Sequence, residues 1–252
     1  MKPTRVITDT NIWYGIGQKT IIFPEDSNII LCVPLIVLSE IYSSPNAQKS
    51  QENFDMLISA IESILSYKEE IEIIDIFPFE YILKYDNPNI KYYGNAEFYF
   101  KEFEAMVQLK YEDVKNVPPI RPSISTLTEF INETSKSYKK IISANSVKFK
   151  KTDTIPLTES LLLKYINDCR IDENKVFQEL KIIHKKEFQL LLSTFDSFLR
   201  EVSKTNKKMT DNDWIDLFNL VYVGQNDLFW TKEKRLKTRI TELELEKYLF
   251  EK

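Results

Sequence analysis

The first patterned segment of the chain is Arg5–Thr8, RVIT, a short β-type run that ends at Asp9-Thr10-Asn11. Side-chain oxygens at those three positions can accept from the free N–H groups of a helix start, so the run predicts a strand followed by a helix. Ile29–Val33, IILCV, is apolar at every position, as in a strand covered on both faces of a parallel sheet. Pro34 suits the first turn of a helix, where its missing N–H costs nothing. That helix would turn Leu35, Leu38 and Ile41 inward and leave Glu40 on a neighbouring face. A helix over about Gln51 to Tyr67 and a strand over Ile71–Ile76 complete a β-α-β-α-β series, which predicts a parallel sheet. Toward the other end, Asp213–Val223 reads as a helix, Asp227–Thr231 as a strand, and the segment from Lys232 as a further helix.

The stretch from about Asn87 to Thr205 has a different character. Its helical pieces are broken at Val117-Pro118-Pro119, Arg121-Pro122 and Thr154-Ile155-Pro156. In its last piece Val176, Phe177, Leu180, Ile183, Leu191, Phe195, Phe198, Leu199 and Val202 recur at three-to-four spacing, which predicts one long amphipathic helix. The simplest organisation is an α/β domain made of 1–86 and 207–252, interrupted by an all-helical insertion over 87–206.

Composition narrows the picture. Across 252 residues, 43% are hydrophobic, 29% are charged and only four are Gly, so a packed core is expected rather than disorder. A formal net charge of −4 removes the simplest nucleic-acid signature, a strongly basic domain, but leaves local basic patches open. Cys32 and Cys169 form no spaced ligand set, which argues against structural zinc. No run approaches the roughly 18 apolar residues of a membrane span, so the expectation is a cytoplasmic protein without a membrane partner. The sole histidine, His184, falls in the long helical pattern and reads as structural or solvated.

The candidate chemistry lies in carboxylates. Asp9 ends the first strand, at the edge where parallel sheets gather ligand sites, although helix capping also explains an Asp there. Glu40 stands in VPLIVLSEIY, where a carboxylate without a partner would be costly to bury. Asp211, Asp213 and Asp216 crowd MTDNDWIDLF. The helix dipole and a cap formed with Thr210 account for one or two of them. Asp213 and Asp216 are three apart on one helix face, and their repulsion would be relieved by a cation. Glu233 follows the strand LFWT directly. An oxygen-only set of this kind selects Mg²⁺ or Mn²⁺.

The segments VITDTNIW, VPLIVLSEI, NDWIDLFNLVY and LFWTKEKRL resemble, in order, the successive motifs of PIN-domain nucleases. The resemblance covers roughly residues 4 to 85 and 207 to 240. It implies a PIN-like three-layer α/β fold around the parallel sheet, with Asp9, Glu40, Asp213 and Glu233 as the metal-binding catalytic acids. Asp216 is an additional or alternative third acid, and the choice between it and Asp213 stays open. Glu233 stands where the family more often has Asp, while Thr10 and Asn11 match the residues that usually follow the first acid. The implied activity is endoribonuclease cleavage by metal-activated water, leaving 5′-phosphate and 3′-hydroxyl ends. Charge removal at Asp9 or Glu40 is expected to abolish that activity while relieving repulsion without harm to the fold.

Single-stranded RNA is the implied substrate, and single-stranded DNA is chemically feasible. Candidate substrate contacts are Thr10, Asn11 and Thr231, then the basic group Lys232, Lys234 and Arg235 with Lys237 and Arg239. A second basic stretch runs from Lys136 to Lys151 and carries Lys139, Lys140, Lys148, Lys150 and Lys151 with Tyr138 and Phe149 interleaved. Trp13 is a candidate for the substrate groove, whereas Trp214 and Trp230 read as packing residues. Two alternative readings accompany the nuclease: an inactive PIN-like binding or regulatory protein, and a nuclease toxin whose partner antitoxin would engage the insertion.

Overall fold

The structure, a computed structural model, describes residues 2–86, 94–117, 136, 140, 154–168, 180–205, 208 and 210–251. In chain order the elements are β1 Thr4–Thr8, α1 Thr10–Gly17, β2 Ile29–Pro34, α2 Leu35–Tyr42, α3 Gln51–Ser66 and β3 Glu72–Ile74. Then come α4 Pro78–Asp86, α5 Ala96–Met106, α6 Tyr111–Val114, α7 Ile155–Asp168 and α8 Gln189–Lys204. The chain closes with α9 Asp211–Asn219, β4 Leu228–Trp230 and α10 Lys234–Glu242. The fold is α/β, with a four-stranded, all-parallel sheet in the order β3-β2-β1-β4.

The two central strands, β2 and β1, are buried over most of their length. Val6 and Ile7 of β1 pair with Leu31 and Cys32 of β2 on one side and with Leu228 and Phe229 of β4 on the other. Val6, Ile7, Cys32, Val33 and Phe229 are wholly buried, as expected for a sheet covered on both faces. The outer side of β4 is covered in turn: Phe229 forms a parallel bridge to Leu249, and the Phe250 N–H donates to the Phe229 carbonyl at 2.9 Å. α1 crosses α3 closely at Gly17, where a Cβ would sit 2.5 Å from the Ser59 backbone, so glycine is required by approach rather than by an unusual φ.

Several boundaries differ from the sequence reading. Pro34 is the last residue of β2, in register with Ile74, and its extended ψ of 147° makes it the N-cap of α2 rather than part of its first turn. β3 is trimmed to three residues. α9 begins at Asp211 and gives way to a 3₁₀ turn at Leu220–Tyr222, where a helix to Val223 was expected.

The long amphipathic helix is shorter than its periodicity suggested. Leu180 and Ile183 are buried but not helical, and the helix starts only at Gln189, with Val176 and Phe177 outside the described residues. Asn167 explains the break. Its side chain donates to the Leu180 carbonyl and accepts from the Leu180 N–H, both at 3.0 Å, taking the two backbone groups a helix would use. His184 therefore lies before the helix, exposed, in a tilted ring contact with Tyr85.

Within 87–206 the described elements are the helices α5, α6, α7 and α8. Their buried side chains, among them Tyr99, Phe103, Leu162, Phe195 and Leu199, belong to the same hydrophobic cluster as the sheet. Buried Asp196 of α8 ties α7 in place by accepting from Thr154 and Thr158 at 2.9 and 2.8 Å, with Arg200 2.9 Å away. Among the described residues, no helix is long and apolar enough to cross a membrane.

Candidate active site

β1 and β4 end side by side, and this edge positions the first acid. Asp9 is the N-cap of α1, with an extended ψ of 160°, and its own N–H donates to the Trp230 carbonyl at 3.0 Å. Asp9 is buried, 4% exposed, and its carboxylate accepts four hydrogen bonds. Thr10 N–H at 2.8 Å and Asn219 Nδ2 at 3.2 Å reach Oδ1; Asn11 Nδ2 and Thr231 Oγ1, both at 2.6 Å, reach Oδ2. Burial still raises the Asp9 pKa, opposed by the hydrogen bonds from Thr231, Thr10 and Asn11 and helped by the charge of Glu233.

The other acids arrive from separate elements. Glu40, in the last turns of α2, accepts a short hydrogen bond from the Thr10 hydroxyl. Burial, then the nearby Asp9 charge, push its pKa up to about 7. Asp216 of α9 is pushed up to about 8, first by burial and then by the charges of Asp9, Glu40, Glu233 and Asp213 in that order. Asp216 is thus the acid on which the charges of Asp9, Glu40, Glu233 and Asp213 all act. Glu233 is the N-cap of α10 and accepts from the Arg235 N–H at 3.2 Å.

Asp213 and Asp216 are used differently. The Asp213 carboxylate closes a capping box, accepting from the Thr210 N–H at 2.7 Å and the Thr210 hydroxyl at 2.8 Å. Asp216 makes no such bond among the described residues, and the charges of Asp9 and Glu40 act on it.

The polar residues predicted to touch substrate are engaged in holding the acids. Thr10 serves Glu40; Thr231 and Asn11 serve Asp9; and the Asn11 side-chain oxygen Oδ1 accepts from the Lys232 N–H at 2.8 Å. Thr231 also accepts from the Glu233 N–H at 3.0 Å, which fixes the turn carrying that acid. Lys232, Lys234 and Arg235 are exposed, Lys237 lies 3.7 Å from Glu251, and Arg239 is held by Ser197 and Glu201. Of the second basic stretch only Lys136 and Lys140 are described, both exposed; Lys139, Lys148, Lys150, Lys151, Tyr138 and Phe149 lie outside the described residues, as does Cys169.

Two side chains change the sequence reading. Trp13 does not line a groove: it is fully buried, and its Nε1 donates to Thr8 Oγ1 at 2.9 Å, because α1 turns that face onto the sheet. Asn219 was missed. It is fully buried, donates to Asp9, and its Oδ1 has no hydrogen-bond partner among the described residues. Its signal was a lone amide in the apolar run LFNLVYV, three residues after Asp216 and so on the same helix face. Trp214 and Trp230 are buried, as packing residues should be.

The donor types suit a hard divalent cation, since every acid offers carboxylate oxygen and their charges repel one another. Among the described residues, no three His, Cys, Asp or Glu side chains could hold a metal ion as they stand. Asp9 spends both lone pairs of each oxygen on its four donors, so a shared cation would require Asp9 to release one of them and Glu40, Asp216 or Glu233 to rotate toward it. No protein-family model, curated protein or solved structure matches the chain.

Proposed function

We propose that the chain is a divalent-metal-dependent nuclease of PIN-like architecture that hydrolyses phosphodiester bonds in single-stranded RNA, with the helical segment 87–206 inserted in its core domain. The observation that supports this reading is the meeting of acids from four elements at the C-terminal edge of a parallel sheet, where Asp216 feels the charges of Asp9, Glu40 and Glu233 together. Repulsion of this kind is what a bound cation relieves.

In this reading Asp9 is the central ligand and would exchange one of its four donors, from Thr10, Asn11, Thr231 and Asn219, for the cation. Glu40 and Asp216 would complete the set, with Glu233 at the remaining corner and Asp213 retained as a helix cap. Bound Mg²⁺ or Mn²⁺ would lower the pKa of a coordinated water and neutralise charge on the scissile phosphate. Thr10 would present Glu40 through its hydroxyl, and Thr231 would hold both Asp9 and the turn carrying Glu233, so that removal of the Thr231 hydroxyl loosens two acids at once.

End-labelled single-stranded RNA incubated with Mn²⁺ or Mg²⁺ should yield fragments with 5′-phosphate and 3′-hydroxyl ends. Glu40→Gln and Asp216→Asn should each abolish the products, and activity persisting in both would sink the assignment. The capping role of Glu233 favours one second reading, a PIN-like binding protein without turnover. It predicts a metal-induced rise in Tm, through binding to the folded state alone, with no cleavage.

A further inference from the structure

A groove of about 620 Å³ runs between α8 and α10, away from the acids themselves but starting one residue beyond Glu233. Five cationic and two acidic side chains face it, in a chain whose net charge is −4. The positive charge is therefore concentrated here against the overall sign of the molecule.

The groove has a fixed part and a free part. Arg200 is 2.9 Å from the buried Asp196, and Arg239 donates to Ser197 at 3.0 Å, pairs with Glu201 and lies 3.8 Å over the Phe198 ring. These contacts set the two guanidiniums as a floor. Lys204, Lys234 and Arg235 are exposed, and among the described residues none of the three is in an ion pair. On α10, Lys234 and Arg235 occupy the first turn, nearest Glu233, while Glu242 lies in the last turn, about 12 Å farther along at 1.5 Å per residue. On α10 the two exposed cations thus lie at the Glu233 end and the acid at the other.

We propose that this groove is the track for the phosphate backbone of a single-stranded nucleic acid, leading the strand to the acids beyond Glu233; the proposal rests on the nuclease reading. The chemistry fits. Unpaired lysine and arginine side chains beside a carboxylate cluster attract phosphates that the cluster alone would repel. The volume is that of a pocket enclosing a drug-sized molecule, which accommodates a short stretch of one strand. Because α8 supplies one wall, the segment read from sequence as an insertion would take part in substrate binding through this helix.

The test measures binding of a fluorescein-labelled single-stranded oligoribonucleotide, and of its DNA counterpart, across a salt series with EDTA present to suspend cleavage. The full-length protein is compared with a triple variant carrying Lys204→Gln, Lys234→Gln and Arg235→Gln. A control carries Lys2→Gln, Lys19→Gln and Lys49→Gln, the same charge change elsewhere on the exposed surface. Each lost phosphate contact lowers the log-log salt slope by about 0.7 for single strands, so the triple variant should lose about 2 while the control keeps the parent slope. Binding with the same slope in parent and triple variant overturns the groove and leaves the nuclease reading to the cleavage assay. Equal losses in triple variant and control also overturn it, since net charge alone would then account for the effect. Failure of the parent to bind either strand overturns the groove, and cleavage of RNA by the same preparation would show that the nuclease reading survives it.

Discussion

At the scale of single residues, the site separates acids that look equivalent in sequence. Asp9 accepts four hydrogen bonds, so Asp9→Asn would turn an amide donor toward at least one existing donor. That variant should lose about 1–3 kcal/mol of stability, read as a lower Tm without metal, contrary to the simple expectation that charge removal helps. Glu40→Gln and Asp216→Asn face the opposite balance and should match or exceed the parent Tm without metal, because repulsion is their dominant neighbourly interaction. Asp213→Asn should cost about 1 kcal/mol through the damaged capping box. A Tm loss in Asp216→Asn equal to that in Asp213→Asn would refute this division. The pH dependence follows with a definite sign. Glu40 rises from 4.5 to about 7 and Asp216 from 3.8 to about 8, so the folded state holds protons that the unfolded chain has released. Their stabilisation is complete below the unfolded values and disappears as pH rises through about 7 and 8. In EDTA, Tm should fall between about pH 5 and pH 8, and the Glu40→Gln, Asp216→Asn double variant should flatten that fall. Sequence alone could name these acids, because Glu40 and Asp216 sit in apolar helical runs. It could not rank Asp213 against Asp216, since the ranking depends on which carboxylate Thr210 captures.

At the scale of elements, what was legible is what local pattern controls. The all-apolar run IILCV and the amphipathic Gln51–Ser66 became β2 and α3, almost with the expected bounds. The non-helical backbone at Leu180 was not legible, because hydrophobic spacing continues through it while Asn167, thirteen residues away, takes both Leu180 backbone groups. Asn219 escaped for the same reason: its partner, Asp9, is 210 residues distant in sequence. The tie between α7 and α8 is likewise nonlocal. Replacing Asp196 by Ala removes acceptors from Thr154 and Thr158 and leaves Arg200 without its partner, an expected loss of about 3 kcal/mol. Chemical denaturation should show it, and a change below about 0.5 kcal/mol would mean that these helices are held by their apolar faces alone.

At the scale of the whole molecule, the sheet is closed from both ends of the described chain. β4 supplies the edge partner of β1, the Trp230 carbonyl receives the Asp9 N–H, and Thr231 completes the carboxylate's hydrogen bonding. A chain ending at Asn226 should therefore lose its cooperative thermal transition and its near-ultraviolet circular dichroism. Retention of both would show that residues 2–226 fold without the last strand. The same closure sets a clock on synthesis. Asp9 and Thr231 are 222 residues apart, and at roughly 5–20 residues per second a ribosome needs about 10 to 45 seconds to travel between them. Throughout that interval the first acid has emerged without the strand that fixes it. Under the nuclease reading, the messenger being translated is thus kept from a finished catalytic centre on its own nascent chain until the final strand has left the exit tunnel.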